Sequence, residues 1–99
     1  FYPFAEGYGY RGQPILISEF GGIAFDNGES GWGYGDKVAD KAAFVERFDA
    51  ITSAVKRLDF CCGYCYTQVT DVQQEINGLM DMERNFKIEP EIIREINLR

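Results

Sequence analysis

A glutamate that directly follows a short apolar run is the clearest candidate for chemistry in this sequence. Glu19 comes straight after residues 15–18, which are almost wholly apolar, and Gly21 and Gly22 close the segment. Such a run, bounded by turn residues, is typical of a strand buried on both faces of a parallel sheet. In parallel α/β architectures, catalytic groups gather at the carboxyl ends of the strands. Glu19 is therefore predicted either to carry carboxylate chemistry at that edge or simply to cap the strand and pair with a cation.

Other kinds of site are excluded or disfavoured. The chain contains no histidine, so it cannot assemble a Ser-His-Asp or Cys-His nucleophilic site by itself. The glycine-rich segment 31–35 lacks the Lys-Ser/Thr of a phosphate-binding loop. Segment 26–29 lacks EF-hand spacing and predicts a solvated turn. No cofactor and no metal ion are therefore expected.

Three cysteines fall within one predicted strand. Cys62 and Cys65 have the C-x-x-C spacing of redox and metal motifs, and Cys61 precedes them. A tetrahedral zinc site needs more ligands than these three, and a redox pair normally opens a helix. The three residues are predicted to be buried, inert thiols, because free cysteine packs as a small hydrophobe.

Composition and charge narrow the class of partner. Hydrophobic residues make up 45% of the chain and charged residues 26%, as in a globular protein. The net charge of −6 argues against nucleic acid and anionic membranes, and no apolar run approaches the roughly 20 residues of a membrane span. The start at Phe1, without a basic leader, predicts an excised or processed segment and leaves the compartment unknown.

The remaining pattern predicts two successive β-α units in an α/β fold. Residues 1–13 are expected to form a loop or linker, residues 14–58 the first unit and residues 59–99 the second. The predicted elements are strand 15–18, helix 41–58 with Asp40 as its N-cap, strand 60–69 and helix 91–97, with Pro90 directly before it as a helix-start signal. The apolar stripe of the first helix is expected to pack on the sheet, and it comprises Phe44, Phe48, Ile51, Val55 and Leu58.

Two long connections and two parallel strands complete this prediction. Residues 19–37 and 70–86 form the connections, and the Asn77-Gly78 pair in the second one predicts a turn. Consecutive β-α units imply parallel strands joined by right-handed crossovers. Because two strands cannot cover their own edges, the pattern indicates a fragment of a larger sheet or one completed by self-association.

Three segments in this order resemble the β-galactosidase/β-glucuronidase family of glycoside hydrolases, family 2. They are PILISEFGGI at 14–23, GWGYG at 31–35 and GYCYTQVTDVQQEINGL at 63–79. The similarity extends from residue 12 to residue 97. It implies that the chain is the carboxyl-terminal part of a catalytic (β/α)8 TIM barrel, with its seventh and eighth strands and their helices.

The resemblance implies that Glu19 is the catalytic nucleophile of a retaining glycosidase, which acts on a carbohydrate substrate, a β-glycoside. Such an enzyme needs a second carboxyl group roughly 5–5.5 Å away as acid/base. In this family the acid/base is a Glu preceded by Asn on the fourth strand, and this chain has no Asn-Glu pair. Glu75, after Gln74, lies in the loop after the last strand and is not assigned that role. The remainder of the parent barrel is thus the implied partner, and the isolated chain is expected to be inactive.

Candidate sugar-contacting residues follow from the same resemblance. Trp32 and Tyr34 could stack on a sugar face or could pin their own loop. Many family members end the eighth strand with a Trp, whereas this chain has Thr67 followed by Gln68. The resemblance therefore does not imply which sugar is bound. In the loop beyond, Asp71, Gln74 and Glu75 could contact either substrate or structure. Asn77, Arg84 and Lys87 lie in a segment that resembles one reaching toward the site in family members. For each of the six residues the alternative is a solvated loop group. The alternative function is a non-catalytic carbohydrate-binding or interaction module derived from the barrel.

Overall fold

A computed structural model describes residues 4–24 and 40–99 of the 99-residue chain. Within these ranges the fold is mixed α/β, with the order β1 (Ile15–Gly21), α1 (Lys41–Lys56), β2 (Cys61–Thr67) and α2 (Pro90–Leu98). The two strands are parallel and hydrogen-bonded to each other. The prediction of two β-α units with parallel strands is confirmed at this level.

The boundaries differ from the predicted ones by a few residues. Strand β1 extends three residues past Ser18, so Glu19 lies inside the strand and not after it. Strand β2 is shorter than the predicted 60–69, and α1 ends two residues before Leu58. Helix α2 is one residue longer at each end than predicted and begins at Pro90. Residues 4–14 contain neither helix nor strand, in agreement with the predicted loop.

Helix α1 begins at a side-chain cap that the sequence predicts. Oδ1 of Asp40 accepts a hydrogen bond of 2.8 Å from the backbone N–H of Ala43, which satisfies one of the unpaired donors of the first turn. The first half of its apolar stripe is buried, at Phe44 and Phe48. The second half, at Ile51, Val55 and Leu58, is only half-buried, so the stripe packs on the sheet along part of its length.

The core joins both helices to the end of β1. Its buried residues are Ile23, Phe44, Phe48, Ile88 and Ile96. The Phe48 ring packs edge-on against Tyr66 of β2, with ring centroids 4.9 Å apart. The carboxyl end of α2 is hydrogen-bonded to the last residue of α1. The Nζ atom of Lys56 donates to the carbonyls of Ile96 and Asn97 at 3.2 and 2.9 Å. A cation at this end also opposes the negative pole of the helix dipole.

The helices leave one face of the sheet uncovered. Leu16 is 66% exposed, and Ser18 and Cys65 are also exposed. Leu16 packs over Gly63 on this face, where a Cβ on Gly63 would approach the Leu16 side chain to 2.7 Å. The prediction that β1 is buried on both faces is therefore wrong for this chain, because no second layer lies over this face in the described part of the molecule.

The prediction of buried cysteines is wrong as well. Cys62 and Cys65 are exposed, Cys61 is half-buried, and all three are free thiols. The Sγ atom of Cys62 lies 3.2 Å from the carbonyl oxygen of Ile15. Burial fails because the two-stranded sheet has too few neighbours to cover β2.

Candidate functional site

The candidate site is the carboxyl edge of the parallel strand pair. Gly21 of β1 lies opposite Thr67 of β2, and the N–H of Gly22 donates to the Thr67 carbonyl at 2.7 Å. Glu19 is two residues from the end of β1 and is exposed. The structure therefore brings Glu19, Thr67 and Gln68 to the same edge of the sheet. The peptide bond between Thr67 and Gln68 is cis.

A local irregularity in β1 coincides with Glu19. The register with β2 shifts between Ile17 and Phe20, so neither Ser18 nor Glu19 has a register partner in β2. Bulges of this kind re-aim side chains and are common beside functional sites. Gly21 follows with a φ of +99°, and a Cβ at this position would collide with the Tyr66 ring. Glycine is required there by both the backbone conformation and the space.

An apolar groove of about 580 Å³ runs beside Glu19 between β1 and α1. Residues of β1 form one wall and residues of α1 the other: Ile17, Glu19, Phe20, Gly21, Ile51, Ala54, Val55 and Leu58. Among the described residues that line the groove, Glu19 is the one ionisable group.

Gln68 connects β2 to the long polar segment that follows it. Its N–H donates to the Asn77 carbonyl at 3.3 Å, and its own carbonyl accepts from the N–H of Leu79 at 3.0 Å. Its side-chain amide lies 3.4 Å from the carbonyl oxygen of Glu75. Residues 68–89, which we call the β2–α2 segment, are thus folded back onto the carboxyl end of β2.

A buried ion pair orders this segment. Oδ1 of Asp71 accepts from Nζ of Lys87 at 2.7 Å and from the N–H of Gly78 at 2.8 Å. The Asp71 side chain is 6% exposed and that of Lys87 14%. Their interpretation as solvated loop charges is therefore wrong. Both side chains form hydrogen bonds within the segment, and the Asp71 carboxylate helps to hold the segment in its folded conformation.

The Asn77-Gly78 pair is buried and is not a turn. Asn77 is fully buried, and its side-chain amide has no hydrogen-bond partner within the described residues. A Cβ on Gly78 would collide with the backbone of Asp71 and Thr70 and would lie 2.8 Å from the carbonyl oxygen of Met80. The glycine is needed for this close approach of two backbone segments, which a sequence pattern cannot distinguish from a turn.

The other polar candidates of the segment lie nearer the surface. Glu75 is half-buried and exchanges two backbone hydrogen bonds with Val72, whereas Gln74 is exposed. Arg84 is exposed and donates to Oγ1 of Thr70 at 3.0 Å. The N–H of Asn85 donates to the Asp81 carboxylate. This hydrogen bond is the main reason why the pKa of Asp81 is lower than its ordinary value. Trp32 and Tyr34 lie outside the described residues.

Nothing in the described part of the chain groups three or more metal-ligating acidic, cysteine or histidine side chains. Neither described helix has the length and apolar character that a membrane span requires. No protein-family model matches the chain, and a search of curated proteins also gives no match.

Proposed function

We propose that this chain is the carboxyl-terminal part of the (β/α)8 barrel of a retaining β-glycosidase of glycoside hydrolase family 2, with Glu19 as the nucleophile. The observation that carries the proposal is the position of Glu19. It is an exposed carboxylate, two residues from the carboxyl end of a parallel strand, at a shift in the register with β2. In barrel enzymes the catalytic residues come from the carboxyl ends of the strands.

The proposed reaction proceeds in two displacements. The Glu19 carboxylate attacks the anomeric carbon and forms a glycosyl ester, while the bond from that carbon to the leaving oxygen breaks and an acid protonates that oxygen. The same acid, now a base, takes a proton from water, which hydrolyses the ester and releases Glu19. This second group would come from the remainder of the barrel, since the sequence contains no Asn-Glu pair.

Within this proposal, the residues around Glu19 shape one side of the sugar pocket. Thr67 and Gln68 share its edge and are proposed to contact the sugar, with Trp32, Tyr34 and Glu75 contributing from the connections. Asp71 is proposed to act indirectly, since its ion pair with Lys87 holds the β2–α2 segment against the end of β2.

Labelling of the nucleophile tests the proposal. The longer protein that contains this sequence would be treated with a 2-fluoro β-glycoside, and the labelled peptide would be identified by mass spectrometry. We expect the label on Glu19 and a loss of turnover by several orders of magnitude in the Glu19→Gln variant, because the covalent intermediate cannot form. The matched control, Glu46→Gln on the exposed side of α1, should retain activity. A label on another residue, or a small loss in Glu19→Gln, would contradict the assignment.

The 99-residue chain alone should not hydrolyse an aryl β-glycoside, because half of the carboxyl pair is missing. Hydrolysis that disappears in the Glu19→Gln variant would contradict this expectation. Specific binding of a sugar without cleavage, by the chain and also by the longer protein, would favour the alternative of a non-catalytic carbohydrate-binding module.

A further inference from the structure

Two residues of β1 face a single residue of β2 at the register shift. Ile17 and Phe20 each have a register partner in β2, and one residue, Cys65, lies between those two partners. Ser18 and Glu19 together therefore lie opposite Cys65. Neighbouring strands are about 4.8 Å apart, so these three residues are close neighbours in the sheet. All three side chains are exposed.

Cys65 belongs to the face of the sheet that the helices leave uncovered. The residues on either side of it, Tyr64 and Tyr66, both pack edge-on against the Phe20 ring. Tyr66 also packs against Phe48 of α1, so this pair of rings lies on the helix side. Because successive side chains of a strand point to opposite faces, the Cys65 thiol lies on the side without helices.

The size of the side chains on this uncovered face changes along the strands. Near the amino ends, the large Leu16 side chain packs over Gly63 and fills the space there. At the level of Glu19, the side chains on this face are the small hydroxyl of Ser18 and the small thiol of Cys65. The face is therefore filled below Glu19 and open beside it.

We propose that Cys65 is a specificity-determining residue of the sugar site, whose small side chain leaves room for the sugar ring beside Glu19. This inference rests on the proposed function. In a (β/α)8 barrel the helices form the outer ring, so the face without helices is the interior, over which the substrate binds. Glu19 also borders the groove beside α1, and the proposal requires its carboxylate to act on the interior side, where Cys65 lies. Cys65 itself takes no part in breaking or making bonds.

A change of side-chain size at position 65 tests the proposal in the longer protein that contains this sequence. Cys65→Leu should raise KM and lower kcat/KM for an aryl β-glycoside on the order of 100-fold, because the added bulk displaces the sugar from Glu19. Cys65→Ala adds no bulk and should lose far less. The matched control is Cys62→Leu, the same change at an exposed cysteine of the same strand, about 10 Å nearer its amino end, which should retain activity.

The reaction of Cys65 with a charged reagent gives a second measurement, on the 99-residue chain and without any activity assay. The thiol sulfur bonds to one sulfur of the dianion dithiobisnitrobenzoate, the reagent's disulfide breaks, the aryl thiolate leaves with the electron pair and the thiol proton passes to solvent. A carboxylate beside the thiol repels this reagent. Glu19→Gln should therefore raise the rate at Cys65 about 2- to 3-fold at low ionic strength. The rate at Cys62, and both rates in the control Glu46→Gln, should not change. Tandem mass spectrometry would assign each rate to its cysteine.

The outcomes separate this inference from the proposed function. A 2-fluoro glycoside label on Glu19, together with equal losses in Cys65→Leu and Cys62→Leu, would overturn the inference and leave the proposed function in place. A label on another residue would overturn both. An unchanged rate at Cys65 in Glu19→Gln would place the carboxylate on the groove side of β1 and would also overturn the inference. Circular dichroism would verify that each variant is folded, and the reagent rates decide the matter if Cys65→Leu is not.

Discussion

The Nζ atom of Lys87 lies 2.7 Å from Oδ1 of Asp71, and this pair joins the two ends of the β2–α2 segment. The same Nζ donates to the Ile76 carbonyl at 3.0 Å, and the same carboxylate accepts from the Gly78 N–H at 2.8 Å. One buried cluster thus joins four positions, 71, 76, 78 and 87, of a segment that has neither helix nor named strand of its own. Through Gln68, this cluster also supports the edge that carries Glu19.

Replacement of Lys87 by Met should destabilise the chain by about 3–5 kcal/mol, because it leaves the buried Asp71 carboxylate without its cation. Urea unfolding, followed by circular dichroism, would give the change in the free energy of unfolding. The free energy of unfolding should fall less in the double variant Asp71→Asn, Lys87→Met than the sum of the two single losses, because the double variant leaves no unpaired buried charge.

The matched control for Lys87 is the exposed pair of Lys41 and Glu89, whose side chains are 63% and 59% exposed. Lys41→Met should change the free energy of unfolding by less than about 1 kcal/mol, because water screens this pair. Similar losses in Lys41→Met and Lys87→Met would show that burial of the Asp71–Lys87 pair has no particular effect.

Gly78→Ala should destabilise the chain by about 3 kcal/mol or more, because the new methyl group meets backbone atoms that cannot rotate away. Gly12→Ala is the control. Gly12 has a φ of +89° but open space around its Cβ position, so its cost is conformational and about 1 kcal/mol. Thermal unfolding of both variants measures the difference, and equal losses would contradict the steric argument.

Phe48→Ala should destabilise the chain by about 3–5 kcal/mol, because Phe48 is 1% exposed and packs against Phe44 and Tyr66. Phe86→Ala offers a change of the same chemistry at a side chain that is 60% exposed, and it should remain within about 0.5 kcal/mol. Urea unfolding of the two variants would test whether the core lies where the structure has it. An equal loss of stability in Phe86→Ala and Phe48→Ala would contradict this location of the core.

Stability should fall in alkaline solution, and Tyr66 should account for part of this fall. Burial raises the pKa of the Tyr66 hydroxyl above its ordinary value of 10.0, so the folded chain holds this proton after the unfolded chain has lost it. The resulting stabilisation is complete below pH 10 and is lost as the pH rises above it. The free energy of unfolding at pH 7 and at pH about 11 should therefore differ less in Tyr66→Phe than in the native sequence. An unchanged difference would exclude Tyr66 as the cause.

Local signals in the sequence predict the helices and strands well where they are strong. Asp40 and Pro90 mark the starts of the two helices because capping and the fixed φ of proline are local effects. The ends of the strands are predicted less well, since they depend on which neighbour continues the ladder. The exposed cysteines have the same explanation. The apolar pattern of β2 shows that the strand is suited to burial, but it does not show whether a neighbouring element covers the strand.

The sequence by itself determines that the chain forms two β-α units and that Glu19 lies near the carboxyl end of the first strand, because apolar periodicity and turn residues act over short distances. That β1 continues past Glu19 to Gly21 is decided by its pairing with β2. Only the tertiary structure decides what the polar residues of the β2–α2 segment do. The sequence predicts Asp71, Asn77 and Lys87 as loop residues. Folding buries Asp71 and Asn77 and partly buries Lys87 near the carboxyl edge of β2. A contact between residues 71 and 87 depends on how the whole segment closes. No local pattern of residues encodes that closure.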